Sequence, residues 1–117
     1  MADPGRVICA SAALEEGGKG VRFRLQPGDA DERGFVVRYD GAPRAYVNRC
    51  PHAGTELDWQ PGEFFEEAGL YLMCSTHGAM FDPGSGLCIA GPCKGECLEP
   101  IHVEEHDGHV IIPGTTP

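Results

Sequence analysis

No window of this sequence is apolar for long enough to span a bilayer, and no segment keeps a 3.6-residue hydrophobic period over several turns. The first absence argues against a membrane helix and the second against a helical bundle. Positive charge is also scarce: 9 Lys/Arg stand against 18 Asp/Glu, for a net charge of -9. The shortage is uneven. Residues 1–49 hold eight Lys/Arg and seven Asp/Glu, whereas 50–117 hold only Lys94 against eleven acids. Such a surface repels phosphate backbones, so nucleic acid is excluded as a partner and a protein with a basic docking face is expected. The opening MADPGRVICA has no basic stretch followed by an apolar run, and a soluble, cytoplasmic protein with no membrane association is expected.

What the chain does have is punctuation. With 17 glycines and 10 prolines among 117 residues, it breaks into short segments of alternating polarity. "VRFRL" (21–25) alternates apolar residues with arginines, the period of a half-buried strand. "GFVVRY" (34–39) and "RAYVNR" (44–49) flank "DGAP" as one hairpin, and "PIHVEE" and "HVIIP" flank "HDG" as another. "LYLM" (70–73) is a short apolar run leading into Cys74, and "PGEFFEEAG" (61–69) is read as one or two helical turns. The pattern predicts an all-β fold, an antiparallel sandwich or small barrel. A chain of this size buries roughly two-thirds of its unfolded surface, enough for a single core, so one domain over 1–117 is expected.

Two stretches carry the chemistry. "NRCPHAGT" (48–55) contains Cys50-x-His52, and "CSTHGAMFDPGSG" (74–86) opens with Cys74-x-x-His77. Each pair follows a strand-like run, which places both on loops at one end of a sheet. Without an export signal the six cysteines are expected to be reduced and available as metal ligands. Four such ligands suit either a tetrahedral zinc or a cluster whose two irons differ in their ligands. Zinc fingers usually pair Cys with Cys and His with His; here each loop offers one thiolate and one imidazole. That split favours two metal atoms side by side, one held by both sulfurs and the other by both nitrogens.

Cys50-Pro51-His52-x-Gly54 and Cys74-x-x-His77-Gly78 resemble the two ligand loops of the Rieske 2Fe-2S family, and Gly91-Pro92 resembles its proline loop. The resemblance covers the whole chain and implies a Rieske-type antiparallel β-sandwich. Two loops and the proline loop would form a small cluster-binding subdomain over about 48–97. It also implies one 2Fe-2S cluster per chain, held by Cys50, His52, Cys74 and His77. Gly54 and Gly78 would adopt positive φ and bring amides toward the cluster sulfurs, while Pro51 would stiffen the first loop.

The departures are informative. High-potential relatives carry an extra disulfide-bonded cysteine in each loop, where this chain has Thr55 and Thr76, and hydroxyl donors to sulfur where it has Ala79 and Phe81. Fewer donors make reduction harder, so a low potential is expected. The implied function is that of a ferredoxin passing single electrons from a flavin-dependent reductase to a terminal oxygenase, an electron-transfer protein and not an enzyme. The rival readings are a small subunit of a larger reductase, such as assimilatory nitrite reductase, and a zinc-stabilised interaction module. No oxygenase-sized domain follows residue 113, and His102, Glu104 and His106 are read as a solvated hairpin face instead of an iron triad. The midpoint is expected to fall with pH once the ring protons of His52 and His77 are lost. Cys88, Cys93 and Cys97 are read as loop and packing residues, with Cys88–Cys93 the pair to test for a bridge. Cys9 is expected to be buried. Trp59, Phe64 and Phe65 are expected to cap the core beneath the first loop, with an exposed aromatic pair as the other use.

Overall fold

The computed structural model describes residues 6–24, 33–51, 56–58, 60, 62–66, 69–74, 78–91 and 94–113. Its strands are β1 (Arg6–Ala10), β2 (Val21–Arg24), β3 (Arg33–Tyr39), β4 (Ala42–Val47), β5 (Leu72–Met73), β6 (Met80–Phe81), β7 (Cys88–Ala90), β8 (Pro100–Ile101), β9 (Glu104–His106) and β10 (His109–Ile112). They form three sheets in the orders β1-β10-β9, β2-β3-β4-β8 and β5-β6-β7, and every strand pair is antiparallel. The fold is all-β, as the sequence pattern predicts. A single turn of 3-10 helix, Ser11–Ala13, is the only helical element among the described residues.

The central sheet is buried on both faces, which explains why GFVVRY reads as a continuous apolar run. Phe35, Val37 and Tyr46 point into one core with Phe64, Leu72, Phe81 and Leu98. Val36 and Ala45, one residue out of step, point into a second core with Leu14 and Val110, backed by Val21, Phe23 and Ile101. In the first core Phe35 stacks on Phe64, ring centroids 4.1 Å apart. Buried Tyr46 donates its hydroxyl to the Pro83 carbonyl oxygen at 2.7 Å, tying the loop after β6 to the central sheet. Burial pushes that phenol up to about 12.

Both hairpins turn on two residues. Asp40-Gly41 and Asp107-Gly108 all have positive φ, from 51° to 78°, the backbone that a two-residue turn between right-twisted strands demands. The turn in DGAP is therefore only its first half, and Ala42-Pro43 already belong to β4. PIHVEE is not one strand: Pro100–Ile101 pair with β4 in the central sheet, and Glu104–His106 pair with β10 in the outer one. Ile101 and Val103 face the same core between the two sheets, so the two-residue period survives the crossing. The helical reading of 61–69 also fails for the residues of that stretch that are described, 62–66 and 69. Phe65 bridges Leu72, and the Met73 amide donates to the Phe64 oxygen at 2.9 Å, so the two phenylalanines extend the small sheet. Phe64 and Phe65 are buried, which removes them as an exposed docking pair. Trp59 and Leu25 lie outside the described residues. Cys9 is only half-buried in β1, and desolvation raises its thiol pKa.

Arg38 on β3 joins the central and outer layers. Its guanidinium donates to the Leu14, Ser11 and Gly41 oxygens at 3.1 to 3.2 Å and to Glu105 Oε2 on β9 at 2.7 Å. The hydrogen bond from Arg38 holds the Glu105 carboxyl below its ordinary range. Arg38→Ala is expected to lower unfolding stability by about 2 kcal/mol, measured by urea denaturation. A depressed carboxyl stabilises the fold above its unfolded pKa and loses that contribution as pH falls through the lowered value. The difference between wild type and variant should narrow in acid, and a difference that stays constant there would discard the assignment.

Candidate metal centre

The first loop leaves β4 through a closed stem. The Asn48 amide donates to the Arg33 oxygen at 2.9 Å, continuing the sheet by one residue, and Cys50 follows with 1% of its surface exposed. The side chain of Asn48, itself buried, then reaches across the loop. Its Oδ1 accepts from the Leu57 amide at 2.8 Å and its Nδ2 donates to Asp58 Oδ1 at 3.2 Å. The other Asp58 oxygen accepts from the Gly62 amide at 3.0 Å. Arg22 on β2 clamps the returning strand through Glu56 at 2.6 Å and Asp58 at 3.6 Å. Nothing in the cysteine-histidine pattern points to Asn48 or Asp58. The one signal was an amide and a carboxylate on either side of the motif, a combination suited to loop closure.

The second loop closes more tightly. Cys74 donates its amide to the Ala79 oxygen at 2.8 Å, and the Gly78 amide returns to the Cys74 oxygen at 2.9 Å. This reversal needs the left-handed backbone of Gly78, φ 70°, as expected from the sequence. Cys74, Ala79 and Phe81 are all fully buried. The third turn, after β7, packs against the second: a Cβ on Gly91 would stand 2.8 Å from the Ala79 Cα, and Gly91 has φ 100°. That contact sets Gly91, the first residue of the expected proline loop, against Ala79 at the close of the second loop.

Cys50 and Cys74 thus belong to one buried cluster at the loop stems. His52, Gly54, Thr55, Thr76, His77 and Pro92 lie outside the described residues, so the structure places the two thiols of the predicted ligand set and not the imidazoles. Whether these residues fit a metal cluster is answered by the sulfurs themselves. Two buried cysteines at adjoining stems are a pair of soft donors, which suits a shared soft metal centre. Among the described residues, a Cβ built on Gly78 would meet nothing within 4 Å.

The other candidates separate from this centre. Cys88 is buried, and its thiol donates to the Ala90 oxygen at 3.3 Å, a packing role. Cys97 is exposed and bridges Leu87, and Cys93 lies outside the described residues, so its bridge to Cys88 does too. His102 and His106 both contact Glu104, at 3.1 and 2.8 Å, and the hydrogen bonds from His106 and then His102 lower that carboxyl's pKa. All three side chains are exposed, in keeping with a solvated hairpin face, and no metal-holding group of three is found among the described residues.

An antiparallel scaffold that holds two buried cysteines at adjoining loop stems is compatible with a metal-cluster-binding domain. The Rieske [2Fe-2S] domain model matches residues 6–107, and the chain belongs to that family, whose cofactor is a Rieske-type 2Fe-2S cluster. Comparison with curated protein sequences yields no match. Among solved structures the chain resembles the Sphingomonas yanoikuyae B1 ferredoxin, with a TM-score of 0.73 and 24% identity, covering 93% of this chain and 97% of that one. It resembles the ferredoxin of carbazole 1,9a-dioxygenase from Nocardioides aromaticivorans IC177 to the same TM-score of 0.73, with 21% identity over 97% and 100% of the two chains. The terminal oxygenase of that dioxygenase shares the fold over 99% of this chain but 32% of its own, at 17% identity and a TM-score of 0.73.

Two expectations follow from this geometry. Gly91→Ala should displace the third turn from Ala79, because the added carbon meets backbone and takes a strained φ costing about 1–3 kcal/mol. Iron and acid-labile sulfide per purified chain should fall, and full retention of both would show that the contact is dispensable. Ala79→Ser with Phe81→Tyr restores the hydroxyls that the family resemblance assigns to these positions. The midpoint should rise by several tens of millivolts per donor if each is worth about 1 kcal/mol, at roughly 59 mV per factor of ten. Spectroelectrochemistry that finds no rise would remove the hydroxyl argument.

Proposed function

We propose that this chain is a low-potential, one-electron carrier, a single domain over 1–117 whose cluster-binding part is about 48–97. Cys50 and Cys74 are assigned to one iron, His52 and His77 to the other. When bound, the cluster supplies a reversible one-electron couple. The protein's part is to hold the sulfurs out of water at the loop stems and to keep sulfur-directed hydroxyls away at Ala79 and Phe81. The donor partner is read as a flavin-dependent reductase and the acceptor as a terminal oxygenase, working in the cytoplasm. No helix among the described residues is long and apolar enough to cross a membrane.

The observation that carries this reading is the pair of buried cysteines on two closed loop stems, inside a chain that matches the Rieske domain over residues 6–107. The fold similarity to two ferredoxins over nearly their full lengths supports the carrier role. A partner with a basic docking face fits the acidic balance of residues 50–117, where eleven acids face one lysine.

The test is direct. Anaerobically purified protein should be red-brown, contain iron and acid-labile sulfide, and give a reduced-state EPR signal after dithionite, with a midpoint near about -150 mV. Cys50→Ser and Cys74→Ser should each abolish the signal. A colourless, EPR-silent protein containing zinc would overturn the assignment, and a clearly positive midpoint would overturn the low-potential part of it.

A further inference from the structure

The chain has few cations, yet three of its arginines line one groove. Arg22, Arg24 and Arg33, with Phe23, surround an open cavity of about 460 Å³ at the end of β2 and β3. Arg24 and Arg33 are directly opposed in the antiparallel register, so their side chains leave the same face within about 5.5 Å of each other at Cβ. Like charges in that relation oppose strand pairing. Neither makes an ion pair among the described residues, in contrast to Arg22, which is engaged by Glu56 and Asp58. A further guanidinium, that of Arg6, donates to the Arg24 carbonyl oxygen at the same edge.

The groove adjoins the first ligand loop. The Arg33 oxygen accepts from the Asn48 amide, two residues before Cys50, and the Glu56 that Arg22 holds lies just beyond the loop. Paired guanidinium forks match carboxylates and phosphates equally in shape. Two features favour carboxylates on a protein. The groove is open and lies on a strand pair, with no helix N-terminus to cradle a phosphate among the described residues. A net charge of -9 also repels an extended polyanion, which leaves an occupant whose negative charge is confined to a small spot.

We propose that the Arg24–Arg33 groove receives one or two carboxylates from the rim of the redox partner, beside the first ligand loop. This rests on the carrier reading given above. Docking then has two contacts of opposite sign: a basic partner face over the acidic half of this chain, and an acidic spot in the arginine groove. Two such contacts fix the rotation of the partner about the docking axis, which a single charged patch leaves free.

The experiment titrates the cluster-loaded protein with the capped peptide acetyl-Gly-Glu-Glu-Gly-amide and, separately, with inorganic phosphate, followed by calorimetry and by the side-chain Nε–Hε NMR signals of arginine. The two-carboxylate peptide should shift the Arg24 and Arg33 signals saturably. Arg24→Glu and Arg33→Gln should each weaken binding by about tenfold or more, while Lys19→Gln leaves it unchanged. Arg24→Glu should not lower the melting temperature, because it replaces a like-charge cross-strand pair by an opposite one; loss of binding is then not loss of fold. Unchanged affinity in Arg24→Glu, shifts spread equally over Arg38 and Arg44, or saturation by phosphate alone would each overturn the groove as a carboxylate site. The carrier reading is judged separately by the EPR signal, which these outcomes do not touch.

Discussion

Two chain reversals must hold buried sulfur at their bases, and the rest of the molecule is arranged around that demand. A buried thiolate is costly unless a metal or another positive charge offsets it, and a metal centre is rigid only if the backbone that presents its ligands cannot open. The first loop meets this with side chains, Asn48 reaching across to Leu57 and Asp58. The second meets it with backbone alone, two hydrogen bonds between Cys74 and the residues at 78 and 79. The third turn then presses on the second through Gly91, where any side chain would strike the Ala79 backbone. Each solution uses the residue types that its space allows: room for an amide across the first loop, and none for a β-carbon at the third.

The central sheet makes this arrangement possible because it is covered on both sides. One face receives the small sheet that carries the second loop, through Phe35, Val37 and Tyr46; the other is closed by the outer sheet and locked by Arg38. Tyr46 reaches Pro83 and so couples the loop after β6 to the strand that feeds the first loop. The stems therefore share a common support, and a displacement in one is felt by the other through packed side chains. Charge follows a different logic. Along the chain the acids are concentrated in the half that follows the first motif, while Arg22, Arg24 and Arg33 gather at the end of β2 and β3 that adjoins the first loop.

Much of the fold was legible from local rules. The Asp-Gly dipeptides marked both tight turns, since few other pairs accept positive φ at successive positions, the alternation in VRFRL marked β2, and the apolar run of GFVVRY beside a turn marked β3. Where local rules failed, a tertiary fact had overridden them. PIHVEE kept a perfect two-residue period while passing from one sheet to another, because both sheets face the same core. The paired phenylalanines after Gly62 looked helical but were drawn into a bridge with Leu72 by the buried space beside Phe35.

By itself the sequence determined the all-β character, the two hairpins and the cysteine-histidine pairs, because turn chemistry, strand period and ligand spacing are properties of neighbours along the chain. Only the tertiary structure decided that Asn48 bridges the first loop, that Gly91 lies against Ala79, and that Arg24 stands opposite Arg33. Those contacts join residues 9 to 12 positions apart in the chain, and the path taken by the intervening backbone, set by how the sheets pack, decides which side chains meet.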